Sequence, residues 1–148
     1  MLIVPLFILI WKIDKGKIFL ICFFGYSVHM ISFYISLLGV NMGMWNYPIQ
    51  LVPLLPSFSL DSSIVPVTFM LAYQWALNKK KNYYIVALAV SIFFSFIFEP
   101  ILVKMEIFKL YNHITYLHRF ILYIVISLVA KFMSNVFLWI QKRGNMST

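Results

Sequence analysis

Four carboxylates, three histidines and one cysteine are sparse material for acid–base or metal chemistry in 148 residues. Glu99 precedes Pro100 inside an apolar run, where a carboxylate is costly and a proline breaks the local hydrogen-bond ladder; this marks it as an ion-binding or proton-accepting group. Asp61, followed by Ser62 and Ser63, has the chemistry of a helix cap or of a second site carboxylate. His113 and His118 lie five apart with Glu106 upstream, whereas two ligands on one helix face are better placed four apart. No H-E-x-x-H, G-x-S-x-G or P-loop pattern occurs. No catalytic residue, metal ligand set or cofactor is therefore assigned.

A second set of polar residues lies within otherwise apolar stretches: His29, Gln74, Ser91 and Lys131. Counting about 1.5 Å per helical residue puts Gln74 and Lys131 about 18 Å below the outer edge of a ~30 Å hydrocarbon core, Ser91 about 12 Å and His29 about 17 Å above the inner edge. On that count the four form one inner polar layer, with Glu99 and Asp61 nearer the outer surface. Each also has a packing role open to it: Lys131 snorkelling or bonding Gln74, His29 hydrogen-bonded and neutral, Asp61 a cap, Glu99 serving a kink.

The elements that must carry these residues are helices in lipid. The chain is 63% hydrophobic and 11% charged, with a mean hydropathy of +0.92, against about 25% charged in soluble domains. Lipid offers the backbone no hydrogen-bond partner, so the class is an all-α, polytopic membrane helical bundle. Four full spans are expected at 18–40, 62–78, 83–103 and 120–140, with a short hydrophobic segment at 1–11, five in all. The segment at 1–11 lacks a basic leader and a small-residue cleavage site, and reads as retained. Cys22, alone, gives neither a disulfide nor a thiolate site.

The net charge of +8 falls in clusters at the ends of apolar runs, which reads as topology rather than as a nucleic-acid surface. Lys12, Lys15, Lys17, Lys79, Lys80, Lys81, Lys142 and Arg143 fall on one side, Lys104, Lys109 and Arg119 on the other. The positive-inside rule then gives an outer N-terminus and an inner C-terminus, with a Pro-rich outer loop at 41–61 and an outer connection at 104–119. Trp45 and Tyr47 suit the headgroup level. Small and polar residues recur along one face of each span: Cys22, Gly25, His29, Ser32, Ser36 and Gly39; Tyr73, Gln74 and Asn78; Ala87, Ser91, Ser95 and Glu99; Ser127, Lys131, Ser134 and Asn135. All four seams are expected to face the bundle interior.

The stretch MWNYPIQLVPLLPSFSLDSSIVPVTFMLAYQ, residues 44–74, with the later Phe98-Glu99 pair, resembles a family of uncharacterised small multi-pass membrane proteins of Gram-positive, spore-forming bacteria. Trp45, Tyr47, Pro53, Pro56, Ser57, Asp61, Pro66, Met70, Leu71, Tyr73 and Gln74 carry the resemblance. It implies a multi-pass topology in a bacterial plasma membrane and no established activity. The abbreviated first span and the lack of a tryptophan around His113 depart from that pattern.

The functional expectation is a membrane protein that binds or moves a small polar or lipid-derived ligand through an outer mouth, with Glu99, Asp61, Lys131, Gln74, His29 and Ser91 as ligand-binding residues. The alternative is a non-catalytic partner subunit or envelope-stress module; an intramembrane lipid-modifying enzyme is a third class. The expected partners are the lipid bilayer and a second copy or another membrane protein, with no nucleic acid.

Overall fold

The computed structural model describes residues 3–48, 63–111 and 114–145. Its helices are α1 (Ile3–Lys12), α2 (Ile18–Asn41), α3 (Val65–Asn78), α4 (Tyr83–Phe93), α5 (Glu99–Lys104) and α6 (Tyr116–Asn145), and two short strands, β1 (Trp45–Asn46) and β2 (Lys109–Leu110), join in one antiparallel pair. A wider π-helical turn, Phe94–Phe98, joins α4 to α5 without a break. The rod Tyr83–Lys104, the segment Lys15–Asn41 and the segment Tyr116–Gly144 are each long and apolar enough to cross a membrane. α1 has 10 residues and α3 has 14, about 15 and 21 Å. The described part of the expected 62–78 span is thus shorter than a bilayer core.

Burial explains why lipid must be the solvent. Within the most apolar window of each long helix only 28–33% of residues are buried inside the protein. The remainder includes Phe19, Ile85 and Phe132, all more than two-thirds exposed. Such a surface is stable only against hydrocarbon.

Three helices end alike. After α2, Gly43 takes the left-handed conformation at φ +67°, and the Met44 amide returns to the Gly39 carbonyl at 2.9 Å. Lys80 (φ 52°) after α3 and Glu106 (φ 59°) after α5 do the same without being glycine, with Lys81 to Ala76 at 2.9 Å and Ile107 to Leu102 at 3.0 Å. These bonds satisfy carbonyls that a helix end leaves open and turn the chain sharply. Asn82 then starts α4, its side chain accepting from the Tyr84 amide at 3.1 Å. The reversal at residues 79–82 makes α3 and α4 adjacent and antiparallel.

The turn between α1 and α2 is fastened to the end of α3. The Gln74 side chain accepts from the Asp14 amide and donates to the Lys12 carbonyl, both at 2.9 Å. Beside it, the Lys17 amine donates to Asn78 at 2.7 Å. The lysine-bearing turns at residues 12–17 and 79–81 are thereby held at one end of the bundle.

At the other end, the loop after α2 meets the connection before α6. Trp45 pairs with Leu110 and Asn46 with Lys109, and the Tyr111 amide donates to the Met44 carbonyl at 2.9 Å. Trp45, Tyr47, Leu102 and Phe108 make a small core under this pair. Trp45 and Tyr47 are packed inside the protein and do not face its surroundings: both are buried, at 2% and 3% exposure. Gly39 permits it, because a Cβ there would overlap the Trp45 indole.

The larger core joins α2, α3, α4, the π-turn and α6, with Phe24, Phe69, Tyr73, Tyr83, Phe94 and Tyr123 among its members. The seams contribute unevenly. Ala87, Ser91, Ser95 and Glu99 are all buried, as are Gly25, Ser32, Ser36 and Gly39 on α2 and Ser127 and Ser134 on α6. Cys22, Asn78 and Asn135 are exposed instead. They lie at the margins of stripes that turn away from the interior, because each four-residue step overshoots a 3.6-residue turn by about 40°.

Candidate functional site

Glu99 reaches the interior because of the helix irregularity just before it. Pro100 has no amide to donate and its ring crowds the preceding turn. The chain widens ahead of it, and the Glu99 amide bonds the Phe94 carbonyl five residues back. A widened turn rotates less per residue than an α-turn, so it offsets the drift of the Ala87, Ser91, Ser95, Glu99 series and returns the carboxylate to the buried seam. Glu99 is only 2% exposed.

Its partner is Arg119, on the first turn of α6. This helix starts earlier than the expected span: the Thr115 hydroxyl and the His118 ring nitrogen Nδ1 lie 2.9 Å apart, and the Thr115 amide donates to the same nitrogen at 3.3 Å. Arg119 consequently belongs to the helix and not to a loop. Its Nε donates to Glu99 Oε1 at 2.6 Å, and its Nη2 donates to the Tyr123 hydroxyl at 3.1 Å. The Tyr123 hydroxyl in turn donates to Glu99 Oε1 at 2.9 Å. Arg119 and Tyr123 are four apart, the spacing that stacks two side chains on one helix face.

Three rings surround the guanidinium: Trp45 at 4.6 Å, Phe108 at 5.2 Å and Tyr123 at 5.3 Å from ring centroid to Cζ. Trp45 comes from β1 and Phe108 from the residue before β2, so the strand pair holds two of the rings in place. A desolvated cation over aromatic faces gains about 2 kcal/mol or more per good contact. The second carboxylate oxygen, Glu99 Oε2, is buried without a hydrogen-bond partner. It borders a cavity of about 10 Å³ whose wall also includes Tyr47, Phe98, Arg119 and Tyr123.

A second polar cluster lies deeper. The Lys131 amine donates to the Tyr73 hydroxyl at 2.9 Å and sits 4.4 Å from the Tyr73 ring centre and 5.7 Å from that of Tyr83. Tyr83 donates to the Ser127 carbonyl at 3.4 Å, and Phe24 closes the cluster at 4.4 Å from Tyr73. Eight residues of α6, about 12 Å, separate Lys131 from Tyr123. Between them the core is filled by apolar groups such as Phe69, Phe94, Ile126 and Ala130.

The expected inner layer does not form as one network. Gln74 is used by the α1–α2 turn, the Ser91 hydroxyl donates to the Ala87 carbonyl of its own helix at 2.8 Å, and Lys131 engages Tyr73. His29 is half-buried beside a hollow lined by Leu6, Gly25, Pro66 and Met70. Gln74 lies one turn from the lysine-bearing end of α3 and is taken up by the turn between α1 and α2. Asp61 and His113 lie outside the described residues. His118 is exposed and caps α6.

Arg119, Tyr123, Trp45 and Phe108 were missed as site residues. One signal was present: Arg119, Tyr123, Ser127 and Lys131 recur every fourth residue, extending the α6 seam to its first turn. Among the described residues, no three His, Cys, Asp or Glu side chains come together as a metal site. No family model, curated protein or solved structure matches the chain.

Proposed function

We propose that the protein is a non-catalytic, multi-pass module of a bacterial plasma membrane, N-terminus outside and C-terminus inside, working through its contacts with lipid and with other membrane proteins. One observation carries this reading. Glu99 and Arg119 are sealed at 2% and 5% exposure and are spent on each other, on Tyr123 and on the rings of the outer cap. A pair so placed fixes the cap to the bundle. The lysine-rich end supports the orientation, and the resemblance at residues 44–74 supports the bacterial setting.

A second reading, binding of a small polar ligand, is favoured by the unpartnered Glu99 Oε2 beside its cavity, which has room for about one water. The two readings separate in the double substitution Glu99→Leu with Arg119→Met. A module keeps its stability, its abundance and the size of the assemblies extracted from the membrane. A binding centre loses its ligand in native mass measurements while remaining folded; that result would replace the first reading with the second.

A further inference from the structure

The lipid-facing side of the bundle between α2 and α6 is grooved. One hollow of about 370 Å³ is bounded by Tyr26, Met30, Tyr34 and Met133. A neighbouring one of about 300 Å³ runs to Phe19 and Gln141. Both share Phe23 and Phe137 as a wall, and those two rings meet at 4.6 Å. From Phe19 to Tyr34 the pair follows α2 for about 22 Å, more than the ~15 Å that one leaflet contributes to the hydrocarbon core.

One end of the groove carries a cluster of exposed basic residues. The groove begins where the start of α2 meets the end of α6, and there the chain exposes Lys15, Lys142 and Arg143. Lys142 borders a further hollow with Leu138 and Trp139, and Leu138 also lines the groove. Arg143 stacks at 3.9 Å on Trp139, a pairing suited to the headgroup level. Asp14 is the one carboxylate of this end among the described residues, and it is engaged with the Gly16 amide at 3.0 Å.

We infer that this face is a binding site for one anionic phospholipid, its acyl chain in the α2–α6 groove and its phosphate at Lys15 and Lys142. A helix, about 10–12 Å wide with side chains, does not enter hollows of this volume; a single chain does, and Met30 and Met133 are flexible enough to close around it. The positive end selects the headgroup. The inference needs only that the protein is in a membrane, so it stands or falls apart from the module reading.

The test is native mass measurement of the full chain from detergent micelles carrying equal amounts of phosphatidylglycerol and phosphatidylcholine. One bound phosphatidylglycerol per chain is expected, with preference falling about fivefold for each of Lys15→Ala and Lys142→Ala. Met133→Trp fills the groove and should lower retention of both lipids at an unchanged melting temperature. Equal retention of the two lipids, indifference to the lysine changes, or indifference to Met133→Trp would overturn the site. So would a second copy of the chain appearing in place of lipid.

Discussion

Arg119 holds the Glu99 carboxylate through Nε at 2.6 Å and shares a helix face with Tyr123, which bonds the same oxygen. A cation near the end of an apolar run is ordinarily a topology marker, and the positive-inside count used it so. Glu99 was legible as exceptional because an acidic residue within an apolar stretch has no such bland use. What joins them is a helix that starts at Tyr116, a boundary set by the Thr115 and His118 cap. Removing one partner leaves the other buried and unpaired, so Glu99→Gln or Arg119→Met should each cost about 3–5 kcal/mol. The combined Glu99→Leu, Arg119→Met chain should return to within about 1–2 kcal/mol of the native one. Unfolding in detergent, followed for all three, measures this. Additive losses would mean that the pair is not the coupled unit seen here.

Helix existence was plain from apolar run length, and most ends lie within a few residues of expectation. Three local features were not. A two-residue strand has no alternation to detect, so the pairing of Trp45–Asn46 with Lys109–Leu110 left no trace. The left-handed turns at Lys80 and Glu106 use residues that normally avoid that conformation; only Gly43 advertises itself. The π-turn was hinted at by Pro100, but its effect on which face Glu99 occupies depends on the rods around it. Gly39 offers the direct test of the cap: Gly39→Leu drives a side chain into the indole of Trp45. It should release the strand pair and expose tryptophan fluorescence to a soluble quencher while the helical circular dichroism stays. Gly43→Val, strained at φ +67°, should cost about 1–2 kcal/mol with no such change in quenching.

For the whole molecule, composition settled the class and the four-residue seams settled much of what faces inward. They did not settle which polar residues meet: Gln74, Ser91 and Lys131 each find a separate partner. The bonds from Gln74 and Lys17 to the first turn and to Asn78 establish which ends lie together; the charge count supplies the proposed sidedness. With Cys22→Ala as background, Asn82→Cys should react with an impermeant thiol reagent only after the cells are opened. Glu106→Cys should react in intact cells. The reverse pattern would invert the orientation while leaving the fold untouched.

The partner of Glu99 lies 20 residues further along the chain, on α6. At a ribosomal rate of about 5–20 residues per second, the acid waits roughly one to four seconds for its cation. During that interval the nascent protein carries an unneutralised acid, although both strands of the cap, the second at Lys109–Leu110, are made before Arg119. A nascent product that stops short of α6 therefore keeps a buried acid with no cation to pair with.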